Sequence, residues 1–186
     1  MRILVAESTG FSTAAERRLR DLGHVTLADL DQAALLGAVG SADVLVVRLR
    51  NRVNRDVLAA APFLRAVVSP TTGLDHLDLP ALDARGIAVL SLRGELDFLR
   101  RVPATAEHTW ALLLALVRRL PAAAAAARSG DWDRDRFRGR GLAGKTLGVV
   151  GLGRLGSMVA GYGAAFGMRV VAYDPYVTAE RFAALR

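Results

Sequence analysis

Residues 146–175, TLGVVGLGRLGSMVAGYGAAFGMRVVAYDP, decide the fold of this chain because they predict a strand, a tight glycine turn, a helix and a second strand. The first strand, at 146–150, is almost wholly apolar, which is typical of a parallel strand covered on both faces. The second strand is predicted at 169–173, and Asp174 follows it. The stretch therefore predicts a β-α-β unit with two parallel strands.

The turn in this unit has the spacing GxGxxG at residues 151–156. In that spacing Gly151 permits a sharp turn, Gly153 lets the backbone approach a pyrophosphate, and Gly156 lets the helix lie close to the strand. The backbone N–H groups of Arg154 and Leu155 would point at the phosphates, with the positive end of the helix dipole behind them. A lone GxGxxG is weak evidence, but the strand before it and the helix after it agree with a dinucleotide site. The alternative is a structural glycine turn that binds nothing.

The acidic residue that ends the second strand predicts which dinucleotide binds. Asp174 lies about twenty residues after the glycine turn, where a carboxylate accepts hydrogen bonds from the hydroxyls of an adenosine ribose. A 2′-phosphate at that position would meet a like charge. The sequence therefore predicts NAD as the cofactor in preference to NADP.

Composition places the chain among ordinary globular proteins. It has 186 residues, of which 52% are hydrophobic, enough for one domain or two small ones. There is no cysteine, which excludes disulfides and thiolate metal sites. The N-terminus begins a strand without the apolar core of a signal peptide, and the longest apolar run, at 110–117, is far shorter than the ~20 residues that span a bilayer. We therefore expect a cytoplasmic protein without a membrane partner.

The formal net charge of +7 raises the question of nucleic-acid binding. Lys145 is the only lysine, and the arginines are spread along the chain, many of them alternating with acids as in DWDRDR at 131–136. Such interleaving is typical of a solvated loop and not of a surface that follows phosphates. We expect no nucleic-acid partner, and a nucleic-acid-associated regulator remains the weaker alternative.

The first half of the chain alternates short apolar strands with amphipathic helices. Strands are predicted at 3–6, 25–27, 44–47, 66–68 and 88–90, and helices at 12–22, 31–36, 54–60 and 79–85, with Gly86 ending the last helix. This alternation implies parallel strands joined by right-handed crossovers. The predicted fold class is α/β: a flavodoxin-like N-terminal lobe followed by the first βαβ part of a Rossmann domain.

Residues 104–127, ATAEHTWALLLALVRRLPAAAAAA, predict one long helix or two abutting ones. Pro103 suits the first turn, whereas Pro121 is expected to kink or divide the helix. The middle turns are apolar nearly all round, which indicates burial on several sides, between domains or between subunits. A charged, glycine-punctuated connection follows at 130–144. The predicted division is a lobe at 1–102, an inter-domain or dimerisation helix at 103–130, and a partial nucleotide-binding domain at 131–186.

Several segments in order carry a resemblance to a known family. They are SPTTGLDHLD at 69–78, ARGI at 84–87, ATAEHT at 104–109 and LAGKTLG at 142–148, together with the glycine turn. Over its whole length the chain resembles the D-2-hydroxyacid dehydrogenase family, which includes phosphoglycerate-type members. The resemblance implies NAD-dependent interconversion of a small 2-hydroxy acid and its 2-oxo acid. It also implies a homodimer formed through residues 104–120.

The resemblance further implies a substrate site in the N-terminal lobe. In the family the backbone amides of the loop matching residues 71–74 hold the substrate carboxylate, so Thr71, Thr72 and Gly73 are candidate substrate-binding residues. Glycine permits close approach, and successive amide dipoles can form an anion-binding nest. Arg48 matches a position where phosphoglycerate-type members direct an arginine toward the substrate phosphate. The alternatives are a plain strand-to-helix turn and a surface arginine.

The sequence lacks a match to the family's catalytic residues. His76, expected at the start of a helix, and His108, expected in a buried helix, show no pairing with acids at metal-ligand spacing, so we interpret both as structural. Glu107 is expected to cap or pair near a helix N-terminus. The family's catalytic arginine, glutamate and histidine all lie downstream of the ribose-binding acid, whereas this sequence ends at Arg186 in a predicted helix at 178–185. The expectation is a truncated dehydrogenase that binds NAD without turnover, and the alternative is a non-catalytic NAD-binding or dimerisation module.

Overall fold

The computed structural model describes residues 1–133, 135–178 and 180. The chain divides into two compact units, Met1–Leu96 and Asp97–Arg186. Of the helix predicted at 178–185, all but residues 178 and 180 lie outside the described residues. The second unit contains the long apolar segment as well as the glycine turn.

The first unit is a five-stranded parallel sheet with helices on both faces. Its strands are β1 (Arg2–Val5), β2 (His24–Leu27), β3 (Val44–Val46), β4 (Ala66–Ser69) and β5 (Ala88–Ser91). The spatial order is β2-β1-β3-β4-β5, and every neighbouring pair is parallel. This order is that of flavodoxin-like folds, so the predicted fold class is confirmed.

Four helices and one 3-10 turn connect these strands. They are α1 (Thr13–Leu22), α2 (Gln32–Ala38), the turn Val39–Ser41, α3 (Arg55–Ala60) and α4 (Leu79–Ala84). Each helix begins one residue after a polar N-cap whose side chain accepts a hydrogen bond from a first-turn amide: Ser12, Asp31, Asn54 and Asp78. The predicted boundaries differ by one or two residues from the observed ones. Gly86 follows α4 with φ +65°, as its predicted role at the helix end requires.

Two apolar layers hold this sheet between its helices. On one face Leu35, Val57 and Leu82 bring α2, α3 and α4 onto the sheet. On the other face, Leu19 of α1 packs against a smaller cluster that includes Ile3. Because all five strands are parallel, their carboxyl ends meet at one edge of the sheet. The segments that follow β1, β3 and β4 therefore lie together at that edge.

The second unit contains a two-stranded parallel sheet and its crossover helix. The strands are β6 (Thr146–Val150) and β7 (Arg169–Tyr173), and α8 (Arg154–Ala165) joins them. Both strands have the predicted bounds. A short helix, α5 (Leu96–Leu99), lies at the boundary between the units and was not predicted from the sequence.

The long apolar segment forms two helices, α6 (Ala104–Val117) and α7 (Leu120–Arg128). The break falls at Arg119, which is left-handed with φ 54°, and not at Pro121. Pro121 lies in the first turn of α7, where its missing N–H leaves no hydrogen bond unmade. Pro103 is the N-cap of α6 and not a residue of its first turn. Among the described residues no single helix is long and apolar enough to cross a membrane, and Leu96–Val117 with Leu120–Arg128, bent by 66°, meets that test only as a pair.

Helix α6 packs against α8 through one aromatic cluster. The ring of Trp110 stacks on Phe166 at a centroid distance of 4.7 Å and meets Tyr162 edge-on at 6.4 Å. Its indole N–H donates to the carbonyl oxygen of Val159 at 3.3 Å. The same helix exposes Leu112 and Leu116, at 58% and 76% of their surface. Within the described residues, α6 is therefore not buried on several sides.

Candidate dinucleotide and anion sites

The glycine turn between β6 and α8 has the backbone that close packing requires. Gly151 has φ +91°, a conformation that residues with a Cβ rarely adopt. A Cβ on Gly156 would overlap the carbonyl oxygen of Gly151 and lie 3.3 Å from Cγ1 of Val149. A Cβ on Gly153, by contrast, would meet no described protein atom within 4 Å. Gly156 thus lets α8 lie on β6, and Gly153 leaves open space beside the turn.

That open space lies at the N-terminus of α8. Gly153 is the N-cap, so no side chain caps the helix. In the described part of the chain, the amides of Gly153, Arg154 and Leu155 donate to no protein acceptor. Unpaired first-turn amides and the positive end of the helix dipole attract anions. The residues present therefore fit a dinucleotide pyrophosphate.

Asp174 lies beside the same turn, at the end of β7. Its Oδ2 accepts a hydrogen bond from the Leu152 amide at 2.7 Å, and its Oδ1 accepts one from the Tyr176 amide at 2.9 Å. The carboxylate is half-buried. Each oxygen retains a lone pair for another donor. The structure thus brings Asp174 and the glycine turn together, in an arrangement that suits a ribose.

The side chain of Arg154 has a role that the sequence did not predict. Its guanidinium donates to the carbonyl oxygens of Leu99 and Val102, both at 3.0 Å. Arg154 thereby holds the segment after α5 against the start of α8. Both partners are backbone carbonyls that lie more than fifty residues away, so no sequence pattern could have identified them.

The 71–74 loop follows β4 at the carboxyl edge of the first sheet. The Thr71 amide donates to the carbonyl oxygen of Ser69 at 2.7 Å, and the Thr71 carbonyl accepts from the Leu92 amide at 3.1 Å. Among the described residues the amides of Thr72, Gly73 and Leu74 have no protein acceptor. Three free successive amides at an exposed turn can receive an anion.

A cavity of about 320 Å³ opens beside this loop. Its wall includes Thr72, Gly73 and Asp75 of the loop region and Arg93, which follows β5. Arg93 was not predicted from the sequence as a site residue. Its position three residues after the end of the strand predicted at 88–90 was the only available signal.

Arg48 lies at the same edge of the sheet, two residues after β3. Its side chain is exposed, and its Nη1 lies 3.5 Å from the carbonyl oxygen of Thr9. Within the residues that the structure describes, Arg48 forms no salt bridge. Its guanidinium is therefore available to an anionic ligand.

The buried carboxylate of Glu7 fixes the segment that carries Arg48. Glu7 accepts hydrogen bonds from the amides of Arg50 at 3.3 Å and Asn51 at 3.1 Å. Burial would raise the pKa of Glu7, but hydrogen bonds from the backbone of Asn51, Arg48 and Arg50 outweigh burial and hold the pKa below its ordinary value of 4.5. Glu7 was not predicted from the sequence as a site residue, although it is the first charged residue after an apolar strand.

His76 is buried, and its Nε2 lies 2.9 Å from Oγ of Ser69. Burial lowers the pKa of His76 below its ordinary value of 6.5, and the positive charge of Arg52 lowers it further. The negative charges of Glu7 and Asp75 raise this pKa but do not offset the burial. Its burial and its contact with Ser69 support the interpretation of His76 as a structural histidine, but His76 does not begin a helix. Helix α4 begins at Leu79, after the N-cap.

His108 and Glu107 lie in the first turns of α6, and both are exposed. Neither side chain makes a hydrogen bond to another described residue. The expected pairing of Glu107 near the helix N-terminus is therefore not formed in this part of the chain. His108 does not occupy a buried position as expected, because α6 turns only its Ala106 and Trp110 side fully inward.

The glycine turn, the uncapped helix N-terminus and Asp174 together define a Rossmann-type dinucleotide-binding unit. Residues 110–186 match the family model described as "D-isomer specific 2-hydroxyacid dehydrogenase, NAD binding domain". The chain therefore belongs to the D-2-hydroxyacid dehydrogenase family, and the resemblance noted from the sequence is confirmed.

Curated relatives extend this similarity to nearly the whole chain. D-3-phosphoglycerate dehydrogenase of Mycobacterium bovis is 45% identical over 184 residues, covering 98% of this chain and 34% of the relative. The enzyme of the same name from Methanocaldococcus jannaschii is 40% identical over 163 residues, covering 87% of this chain and 30% of the relative. The chain thus spans about a third of the length of these relatives.

Solved structures show the same fold. The TT0316 protein of Thermus thermophilus superimposes with a TM-score of 0.86 at 36% identity, covering 96% of this chain and 58% of that one. D-lactate dehydrogenase of Aquifex aeolicus, crystallised with NAD and lactic acid, gives a TM-score of 0.82 at 28% identity, covering 100% of this chain and 54% of that one.

Proposed function

We propose that this chain binds the adenosine and pyrophosphate part of NAD and forms the substrate lobe of a dehydrogenase for a small 2-hydroxy acid. The observation that carries the proposal is the uncapped N-terminus of α8, which faces the open space beside Gly153 and lies next to Asp174. A cytoplasmic location, expected from the composition, belongs to the same proposal, and fractionation of the source cells tests it.

In this proposal each part of the cofactor site has one task. The amides of Arg154 and Leu155 donate to the pyrophosphate, and the absence of a side chain at Gly153 lets the phosphates approach the backbone. Gly151 and Gly156 hold the turn and the helix in that geometry. Asp174 accepts hydrogen bonds from the ribose hydroxyls and disfavours a 2′-phosphate. Bound NAD would supply the hydride acceptor, while the protein binds and orients it.

The substrate is proposed to bind at the carboxyl edge of the first unit. The amides of Thr72, Gly73 and Leu74 would hold its carboxylate, since they have no described protein acceptor. Thr71 contributes to the loop as the resemblance implies, although its own amide already donates to Ser69. Arg48 would bind a second anionic group, such as the phosphate of a 3-phosphoglycerate-like substrate.

We further propose that these 186 residues do not turn over by themselves. The resemblance implies that hydride transfer in the family uses an arginine, a glutamate and a histidine, and we expect these 186 residues to contain no counterpart of the three. The test is NADH consumption by the 186-residue chain with a panel of 2-oxo acids. Turnover would refute this part of the proposal without affecting NAD binding.

The proposed homodimer forms through residues 104–120. Its support is the exposed apolar face of α6, which includes Leu112 and Leu116. Replacing Leu116 with Glu is expected to shift the chain from dimer to monomer in light scattering. The control is Leu49→Glu, because Leu49 is similarly exposed but lies in the first unit. A wild-type monomer at micromolar concentration would refute the dimer, and with it the alternative that the chain serves as a non-catalytic dimerisation module.

The decisive experiment for the cofactor site is calorimetric titration of the chain and its Gly153→Ala variant with NAD. Gly153 has φ −71° and ψ −158°, so alanine fits the backbone, and its methyl group would occupy the open space proposed for the phosphates. We expect a loss of stability of no more than about 1 kcal/mol, because alanine is a poorer N-cap than glycine. The NAD affinity should be at least about tenfold lower, equivalent to about 1.4 kcal/mol. The control Gly161→Ala, in α8 with no atom near its new Cβ, should bind NAD like the wild type. Equal NAD affinity for all three proteins would refute the site.

A further inference from the structure

Three side chains next to the 71–74 loop form a continuous hydrogen-bond chain. Nε2 of His76 lies 2.9 Å from Oγ of Ser69, and that oxygen lies 2.8 Å from Oγ1 of Thr71. Oγ1 of Thr71 in turn donates to the carbonyl oxygen of Gly73 at 2.8 Å. Ser69 and His76 are buried and Thr71 is half-buried, so water does not readily replace the two contacts of Ser69, whereas the contact from Thr71 to Gly73 lies at the exposed turn.

The hydrogens of these three hydrogen bonds can be arranged in only one direction. A carbonyl oxygen is an acceptor, so the single hydroxyl hydrogen of Thr71 points to Gly73. The Ser69 hydroxyl must then donate to Thr71, because the hydrogen of Thr71 is already used. With its own hydrogen directed there, Ser69 can only accept from His76. The imidazole is therefore protonated at Nε2, and donation runs from His76 to the loop.

The last contact in the chain orients the amide that follows it. The peptide between Gly73 and Leu74 is planar and trans, so its C=O and N–H point in opposite directions. Thr71 holds the carbonyl on its own side, and the Leu74 amide is thereby directed away from it. The Thr71 amide, bonded to Ser69, fixes the other end of the loop. The free amides of Thr72 and Gly73 lie between these two hydrogen bonds, and the free amide of Leu74 directly follows the second one.

We propose that His76, through Ser69 and the hydroxyl of Thr71, is the positioning group that holds the 71–74 loop in its anion-receiving conformation. This inference rests on the proposed substrate site, and it gives Thr71 a positioning role through its hydroxyl in place of direct contact with substrate. His76 itself neither touches the anion nor transfers a proton to it.

The test is nuclear magnetic resonance of the ¹⁵N-labelled chain, with pyruvate as the probe and pyruvamide, which lacks the carboxylate, as the matched control compound. The wild type is expected to show His76 protonated at Nε2, with Nδ1 bare, and pyruvate-dependent shifts at the amides of Thr72, Gly73 and Leu74. In Thr71→Val, which removes the hydroxyl at nearly constant volume, these amides should move without ligand, and pyruvate should bind about tenfold more weakly. Thr26→Val, on an exposed position of β2, should leave both unchanged.

Two histidine variants separate positioning from simple packing. His76→Gln keeps an N–H donor and should retain loop shifts and pyruvate binding close to the wild type. His76→Leu fills the space without a donor and should reproduce the Thr71→Val effect. An Nδ1-protonated His76, or identical loop shifts in the Thr71→Val, His76→Leu and wild-type proteins, would overturn the inference. A different outcome is that the loop shifts of the Thr71→Val and His76→Leu variants change as expected while the wild type does not respond to pyruvate. That result would overturn the proposed substrate site but would support the positioning role of His76.

Discussion

Substituting Gly156 with alanine tests whether the glycine turn is built by close packing. The added Cβ would overlap the carbonyl oxygen of Gly151 and crowd Cγ1 of Val149 at 3.3 Å. The first of these is a backbone atom in a turn with φ +91°, which cannot rotate aside as a side chain can. Helix α8 must therefore move away from β6, or the turn must deform.

The magnitude follows from two opposing effects. Alanine in place of glycine within a helix stabilises by up to about 1 kcal/mol, and forcing a methyl group into a packed contact costs about 1–3 kcal/mol. Because the overlap here is with backbone, we expect Gly156→Ala to be less stable than the wild type by about 1–2 kcal/mol. Gly161→Ala, in the same helix with no atom near its Cβ, should gain stability of up to about 1 kcal/mol.

The assay is urea unfolding followed by circular dichroism, with NAD titration on the same proteins. Gly156→Ala should also bind NAD at least about tenfold more weakly, since displacement of α8 moves the amides that receive the pyrophosphate. If Gly156→Ala and Gly161→Ala have equal unfolding free energies, the helix does not depend on this contact, and the packing argument is refuted.

Three further predictions concern charges. Asp174→Asn should reduce NAD affinity by about tenfold and narrow the preference for NAD over NADP, because the like charge facing a 2′-phosphate is removed; parallel titrations check this, and an unchanged preference would contradict it. The free energy of unfolding should fall as the pH drops below about 6.5, because His76 binds a proton more readily in the unfolded state than in the folded state, where its pKa is lowered. It should fall again below about pH 4.5, because the carboxylate of Glu7 is protonated in the unfolded state before it is protonated in the folded state. Urea unfolding across about pH 4–8 measures both, and His76→Gln should abolish only the upper part. Arg154→Met, which removes two hydrogen bonds to backbone carbonyls, should destabilise by about 1 kcal/mol and speed amide exchange at residues 97–103.

The sequence predicted β6 and β7 to the residue because strand and turn signals coincide there. The apolar run of β6 ends at Gly151 and that of β7 ends at Asp174, so the hydrophobic pattern and the strand-ending residues give the same boundaries. The break in the long apolar segment was placed less well. Pro121 was expected to divide the helix, but the first turn of a helix tolerates proline. The helix is interrupted instead at Arg119, whose backbone is left-handed. Nothing in the local pattern marks an arginine for a left-handed conformation.

The candidate sites divide along a similar line. The free amides of Arg154 and Leu155 were predictable from the glycine spacing, whereas the amides of the 71–74 loop were expected from the family resemblance. The side-chain contacts of Arg154 and Glu7 were not, because their partners are amides and carbonyls that every residue possesses. Sequence patterns identify where an anion can approach the backbone, whereas the groups that hold that backbone in place require the folded structure.

Helix α6 shows how the two kinds of information combine. Its apolar residues continue nearly all round the helix, which predicts more than one buried face. The structure separates those faces: Trp110 is buried against α8, while Leu116 remains 76% exposed. The hydropathy pattern shows that a helix has several apolar faces, but it does not identify the element or subunit that packs against each of them. A helix with one face packed and leucines exposed elsewhere on its surface has the arrangement expected of the proposed subunit interface, so the substitution of Leu116, and not of Trp110, should separate association from folding.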